Sequence, residues 1–498
     1  MALSRNLLAG LTNSIWSALI GLAVVPFYLK YLGIEAYGLI GFFVTTQAVL
    51  SLLDMGLAPT INREVARCSA SGDLREAGKL LHTLAVIYWV MAGVIALLMV
   101  LLAPLIAEYW LQSKQLPIET ITHTVMLMGL VVAFRWPIGL YQGALIGAHR
   151  LTISSGINIV MTTISSLGAV SILAFVSPTV EAFFIWQACL GLLYAFVIRG
   201  AAWQVIGRLN KTRFDVEQFK NIWRFSVGIS GIALSAIVLT QLDKLILSKT
   251  LDLEAFGHYM LATTIGGGLY LLIMPVYNII YPRFSSLVAA GSIKDLGEMY
   301  RVMTRLFTSV LFPIAMALAF GAKDFVIVWT GDPAIALTIA PIISLLVLGT
   351  ALHGVMFFPY ALQLAYGMTR LPLTINTILM VVLVPLTIFL SLKYGALGGG
   401  ISWLVLHVFY LLIGTWLTHR QLLKGTGMTW LYHDVFIPLC VSGMVGLIGL
   451  YINRNVEYST SETLIFSVIL ALIATLLSFA IMPNETRNLI LPRIRRAK

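Results

Sequence analysis

Charge is scarce in this 498-residue chain: Asp, Glu, Lys and Arg make up 11% of it, against roughly 25% in an ordinary soluble domain. With 59% hydrophobic residues and a mean hydropathy of +0.93, that scarcity excludes a soluble globular protein and leaves an integral membrane protein. Cysteine is also sparse. Cys68 is expected in a cytoplasmic loop and Cys189 and Cys440 in apolar spans, a scatter that supports neither a disulfide framework nor a metal site. A cleavable leader is missing as well: one arginine, Arg5, precedes an apolar run too long for a signal-peptide core, so the first helix is expected to be retained. Long polar stretches are few, and the longest expected loops fall near residues 66–79, 206–220 and 282–297. They leave no room for a soluble catalytic domain, and no cofactor is expected.

The scarce charges divide the chain into apolar segments of about the 20 residues that a spanning helix needs. Spans are expected near 7–28, 36–60, 81–106, 120–146, 152–176, 181–205, 222–247, 257–281, 298–321, 334–358, 371–391, 395–418, 433–452 and 463–482. This all-α, polytopic reading has fourteen transmembrane helices. Most basic residues then fall on the side shared by the termini, including Arg63, Arg67, Arg75, Arg150, Arg213, Arg224, Arg301, Arg370 and the tail from Arg487, so both termini are expected in the cytoplasm. The net charge of +11 follows from topology and anionic lipid rather than from nucleic-acid binding.

The chain also repeats itself. Lys30-Tyr-Leu-Gly-Ile-Glu-Ala-Tyr-Gly38 returns as Lys249-Thr-Leu-Asp-Leu-Glu-Ala-Phe-Gly257. At nearly the same offset, Pro137, Gln142, Gly147 and Arg150 return as Pro359, Gln363, Gly367 and Arg370. Six spans separate equivalent positions, so the halves run parallel, related by an axis along the membrane normal. The expected organisation is an N-terminal lobe over residues 1–210, a C-terminal lobe over 211–425, and an additional pair of spans with a basic tail over 426–498. The two six-helix lobes would surround a central cavity, the plan of an alternating-access transporter.

Polar residues forced into the bilayer point to its chemistry. Arg135 lies fifteen residues before Arg150 and sixteen after Glu119, about 22 to 24 Å along a helix from either. A charge at that depth costs about 2.5–3.5 kcal/mol on insertion scales, so it should face a wet cavity or a partner, as a phosphate site or an ion pair. Asp243 and Lys244 are adjacent near the outer end of the seventh span. Neighbours on a helix point in different directions, so one is expected to face the cavity and the other to snorkel outward. Asp54 lies near the cytoplasmic face, where it can bind substrate or serve as a cap or partner of Arg63. His123, His353 and His407 stand alone in apolar surroundings and read as packing residues, with proton coupling the alternative. Gly266–Gly268 and Gly398–Gly400 lack the Lys-Ser or Lys-Thr of a phosphate loop; they suit close helix contact or bending.

Three stretches carry a family likeness: Tyr-Leu-Gly-Ile-Glu-Ala-Tyr-Gly-Leu over 31–39, Leu-Asp-Met-Gly-Leu-Ala-Pro-Thr-Ile-Asn-Arg-Glu-Val-Ala-Arg over 53–67, and Gln-Leu-Asp-Lys-Leu-Ile-Leu over 241–247 with Leu-Glu-Ala-Phe-Gly-His-Tyr over 253–259. In these the chain resembles the polysaccharide transporters of the multidrug/oligosaccharidyl-lipid/polysaccharide exporter superfamily, and within them bacterial O-antigen and capsule flippases. The resemblance implies movement of an undecaprenyl-diphosphate-linked oligosaccharide between leaflets of the bacterial inner membrane, with a polysaccharide polymerase and a chain-length regulator as partners. Such a cargo needs a cationic, hydrated cavity. Arg135 would engage the diphosphate, with Lys244, Asp243 and Asp54 as further substrate contacts and Arg5 or Arg224 at the mouth. A drug exporter of the same superfamily would share the fold but is expected to have twelve spans and a less cationic cavity. A membrane enzyme of polysaccharide assembly would need a large periplasmic loop.

Overall fold

The computed structural model describes residues 2–72, 74–207, 234–235, 237–456 and 458–482. Arg213, Arg224, the basic stretch 208–220, half of the expected span 222–247 and the C-terminal tail lie outside the described residues, as does the side chain of Arg5. Every regular element among the described residues is helical, apart from one isolated parallel bridge between Gln112 and Asp252.

The first unit comprises residues 1–257. It begins with α1 (Ala2–Leu50), in which the backbone at Gly33 (φ 80°, ψ 175°) separates two helices, a conformation that only glycine adopts at ease. The two expected spans 7–28 and 36–60 meet at this kink. Then follow α2 (Leu57–Ser71), α3 (Leu74–Leu105), α4 (Ile118–Gly147), α5 (Leu151–Phe175), α6 (Val180–Ile206) and α7 (237–250). Helix α4 packs on α2, α3 and α6, and α1 packs along α5. A core of Ile61, Val65, Leu81, Tyr141, Ala144 and Ala195 lies between them.

The second unit comprises residues 258–498 and takes in most of α8 (Leu253–Gly267). It continues with α9 (Tyr270–Ala289), α10 (Ile293–Phe320), the short α11 (Ala322–Thr330), α12 (Pro333–Ala365), α13 (Arg370–Tyr394), α14 (Ala396–Phe409) and α15 (Thr415–Gln421). A π-helical turn, Tyr410–Gly414, joins α14 to α15. A second π-helical stretch, Trp430–Phe436, leads into α16 (Ile437–Asn455), and α17 (Thr460–Ala480) follows. Helix α12 is central, packed on α9, α10, α11 and α14.

Twelve described helices are long and apolar enough to cross a bilayer. The first of these, Leu8–Asp54, covers two of the fourteen expected spans, and half of span 222–247 falls outside the described residues. Leu97, Leu101, Val381, Leu392 and Leu476 are mostly exposed on these helices, as lipid-facing side chains are.

Three expectations need correction. The span 36–60 does not run through: α1 ends at Leu50, a 3₁₀ turn covers Ser51–Asp54, and Met55 and Gly56 are left-handed before α2. The expected loops 66–79 and 282–297 are largely helical, because α2 ends at Ser71, α3 starts at Leu74, α9 runs to Ala289 and α10 starts at Ile293. Charged amphipathic turns lengthen these helices without adding hydropathy. The span 257–281 is divided between α8 and α9 by a break at Gly268–Leu269.

The added helices dock through buried charge. Asp434, fully buried in the π-helical stretch, accepts from Arg301 Nε at 3.1 Å. Arg305, also fully buried, donates to the backbone oxygens of His433 and, at 3.0 Å, Ser478. Thr308 Oγ1 donates to the Asp434 carbonyl at 2.7 Å, and Trp430 Nε1 to Thr304 Oγ1 at 3.0 Å. Arg301, counted above as an interfacial positive charge, and Arg305 therefore hold α10 to the last two helices.

Candidate functional site

Arg135 stands on α4 just before Trp136 and Pro137, and it is half-buried. Its Nη2 donates to Gln187 Oε1 at 2.5 Å, and the same oxygen accepts from Ser165 Oγ at 2.7 Å. The guanidinium carbon lies 5.8 Å from the centroid of the Phe43 ring, within cation–π range. On α6, Gly191 makes room for the arginine stem, since a Cβ there would stand 3.3 Å from Arg135 Cγ. Among the described residues no carboxylate pairs with Arg135, and none of its nitrogens is buried without a partner. The guanidinium charge is thus met by an amide oxygen and an aromatic ring rather than by a carboxylate.

Two further hydrogen-bonded polar groups lie in the first unit. Gln142 Nε2 donates to Tyr194 OH at 2.7 Å, Tyr194 OH to Asn158 Oδ1 at 2.9 Å, and Asn158 Nδ2 to Asn13 Oδ1 at 2.8 Å. Thr152 Oγ1 donates to Asn6 Oδ1 at 2.7 Å, and Asn6 Nδ2 to the His149 carbonyl at 3.2 Å, where α4 turns into α5. Sequence reasoning passed over these residues. A signal was present: Asn6 and Asn13 are seven apart, as are Asn158 and Ser165, a spacing that puts each pair on one helix face.

The other anticipated residues do not join Arg135. Asp243 and Lys244 pair with each other instead of facing apart: Lys244 Nζ lies 3.2 Å from both carboxylate oxygens and donates to the Thr240 carbonyl at 2.7 Å. Only 1% of Asp243 and 8% of Lys244 is exposed. The divergent Cβ directions of adjacent residues are overcome by the length of the lysine stem, which folds back along its own helix. Asp54 is committed locally, accepting from the Tyr88 hydroxyl and, at 3.2 Å, from Ala58 N in the first turn of α2. It serves there as a cap and makes no ion pair with Arg63, which bonds Glu64.

The two copies of the repeated motif meet. A Cβ on Gly38 would fall 2.4 Å from Leu253 O, and one on Gly257 would fall 2.3 Å from Ile34 O, so each copy faces the backbone of the other at equivalent positions. Around this crossing, buried Glu35 accepts from the backbone N–H groups of Lys114, Gln115 and Leu116 at 3.0 to 3.2 Å and from Ser113 Oγ at 2.8 Å. Leu253 N donates to Gln112 O at 2.7 Å, and Lys114 Nζ lies 2.6 Å from Asp252 Oδ2. That hydrogen-bonded carboxylate holds the Lys114 ammonium above the usual lysine pKa.

A family model described as "Polysaccharide biosynthesis protein" matches residues 30–333, more than half of the chain. The chain belongs to the polysaccharide biosynthesis protein family. It is 22% identical over 430 residues to a Shigella flexneri protein named as an O-antigen transporter, covering 82% of this chain and 97% of that one. Among solved structures it is similar to the lipid II flippase MurJ in an inward closed conformation, with a TM-score of 0.70, 14% identity and coverage of 97% and 100% of the two chains. An inward-facing multidrug resistance MATE transporter of the MOP superfamily matches with a TM-score of 0.65, 13% identity and coverage of 81% and 95%. At these identities the structural likeness is one of fold. This polysaccharide biosynthesis protein is thus a multi-pass membrane protein with a MurJ- and MATE-like fold. Its first unit carries a mid-span guanidinium whose planar fork suits phosphate oxygens.

Proposed function

We propose that this protein is a flippase that moves an undecaprenyl-diphosphate-linked oligosaccharide repeat unit from the cytoplasmic to the periplasmic leaflet of the bacterial inner membrane, for O-antigen, capsule or exopolysaccharide synthesis. The observation that carries this reading is Arg135: a cation about halfway along its helix, held by an amide rather than a carboxylate. An unpaired mid-membrane charge is costly unless it has work to do, and an anionic diphosphate is the complement it lacks. Family membership and the flippase-type fold support the same cargo.

In this reading the lobes over 1–210 and 211–425 rock about a cavity between them, both termini are cytoplasmic, and the polyprenyl tail stays in lipid while the head crosses. The contacts around Gly38, Gly257 and Lys114–Asp252 close the outer side when the cargo enters from the cytoplasm. Polysaccharide polymerase and a chain-length regulator receive the product. The test is deletion of the gene in its host, followed by analysis of surface polysaccharide and of lipid-linked sugars in each leaflet. Lost polymer with repeat units accumulating on the cytoplasmic leaflet is the expected result. Intact polymer with altered sensitivity to toxic cations would replace this reading with a drug exporter.

A further inference from the structure

His353 and His407 are solitary in the sequence, yet α12 and α14 bring their rings to a centroid separation of 4.6 Å. We infer that the two imidazoles form a proton-binding site within the second unit, taking one proton between them. His407 Nδ1–H donates to the Trp403 carbonyl at 2.8 Å, one turn back on its own helix, which leaves Nε2 as the basic nitrogen of the neutral ring. His353 Nδ1 lies 2.6 Å from the Tyr270 hydroxyl on α9. That hydroxyl donates to the neutral imidazole and accepts from the imidazolium, so the bond survives protonation.

The surroundings suit one positive charge and disfavour two. The Trp403 ring is 4.4 Å from His407; Phe357, Tyr270 and Tyr410 stand 5.2, 5.8 and 6.0 Å from His353. Tyr270 meets His353 through its hydroxyl, while the tilted rings of Trp403, Phe357 and Tyr410 lie within the distance at which an aromatic ring stabilises a cation. Two imidazolium rings in such contact would repel, which separates the second protonation from the first. Besides His407, the titratable groups facing His353 among the described residues are tyrosines: Tyr270 from α9, Tyr410 from the π-helical turn and, beside Phe357, Tyr360 of α12. Among the described residues no acidic or basic side chain other than His407 contacts His353.

The repeat gives the site its meaning. In the register set by Pro137 and Pro359, Arg135 corresponds to Phe357, whose ring packs on His353. Gln142 on α4 bonds Tyr194 of α6, and Gln363 on α12 bonds Thr418 of α15, its Nε2 donating at 2.6 Å. Where the first half holds a permanent cation bonded from α4 to α6, the second holds a titratable pair bridging α12 and α14. His353 lies six residues before Pro359, and His407 three before the π-helical turn; such irregular turns have more than one accessible arrangement. A proton arriving here charges the second half one or two turns from Pro359 of α12 and from the π-helical turn that follows α14, and so biases its rocking. This use in transport rests on the flippase reading, whereas the proton site itself does not.

The experiment is ¹⁵N-imidazole NMR of the full-length protein in lipid nanodiscs between pH 4.5 and 9, with His353→Gln and His407→Gln to assign the resonances. The expected result is one shared protonation step sensed by both rings, with the second step displaced downward by about two pH units or more. Each variant should leave a ring with a single, shifted midpoint. Two rings that remain neutral throughout, or that titrate independently with midpoints untouched by loss of the other, overturn the site. Surface polysaccharide is then compared in cells carrying the double variant at growth pH 6 and 8, at equal membrane level. A loss whose extent changes with pH supports coupling, and normal polysaccharide at both values overturns it. Intact polysaccharide on deleting the whole gene would remove the flippase reading while leaving the shared titration standing.

Discussion

Arg135 and Asp434 are both charges enclosed by helices, but they stand in opposite situations. Arg135 has an amide and an aromatic face in place of a carboxylate. Replacing it by alanine should abolish polysaccharide export without lowering membrane level, and Arg135→Lys should retain a fraction, because an ammonium supplies the charge without the planar fork. Complementation by plasmid-borne variants in the deletion host is the measurement, and full export by Arg135→Ala would remove the phosphate role. Asp434 has Arg301 as partner and Arg305 nearby. Asp434→Ala leaves the half-buried Arg301 without its carboxylate and buried Arg305 without the nearby negative charge, and should cost about 3–5 kcal/mol, seen as lower membrane level and a lower melting temperature in detergent. Depth along the chain made Arg135 legible in the sequence, since counting residues to flanking charges locates any ion in an apolar run. Gln187 and the Asn158–Tyr194 hydrogen bond were not legible, because an amide in an apolar helix carries no sign of which neighbouring helix it will meet.

Helix α2 shows how an element escapes a hydropathy reading. Leu57, Thr60, Ile61, Val65 and Cys68 form its buried face, while Arg63 and Arg67 bracket Glu64, and Arg67 also reaches Glu76 at 2.8 Å. Partial burial raises the Glu64 pKa, but the two arginines more than offset this and hold it below the usual glutamate range. The clamp is therefore complete above the ordinary glutamate pKa and is lost as pH falls through the lowered value. Protection factors of the amides of residues 57–71, taken relative to the intrinsic exchange rate at each pH, should be higher at pH 7 than near pH 3, and added salt should lower them at pH 7. The glycine crossing makes a second demand on element geometry. A Cβ at Gly38 would press on a backbone carbonyl that has no rotamer with which to yield. Gly38→Ala should therefore loosen the outer contacts, raising the labelling rate of Ser113→Cys by a membrane-impermeant thiol reagent several-fold. Unchanged labelling would show that this crossing does not hold the outer side closed. The break at Gly33 falls between two expected spans, but the one at Gly56 lay inside the expected span 36–60 and was missed, as were the helical turns beyond the apolar stretches, because charge hides them.

For the whole molecule, the internal repeat was the most legible feature in the sequence: the segments Lys30–Gly38 and Lys249–Gly257 are copies, and within the first unit these two segments touch. The cargo was legible only by resemblance, since no composition or spacing distinguishes one lipid-linked sugar from another. The topology makes a prediction at this scale. A reporter fused after Arg496 should read as cytoplasmic; a periplasmic signal would break the parallel relation of the halves, because an odd number of spans inverts every later loop.

The crossing of Gly38 and Gly257 also bears on how such a chain can change over time. A duplicated segment that touches its own copy at equivalent positions has the form of a two-fold contact between identical subunits, now closed within one polypeptide. Each glycine is required by the carbonyl of the opposite copy, so neither half can drift alone at that point. The neighbouring positions were free to diverge, to Tyr37 and Phe256, or to Gly33 and Asp252. One of these divergences gave Lys114 its partner. The shared contact preserves the old symmetry, while the bridge beside it belongs to one side only, and each half remains a constraint on the sequence of the other.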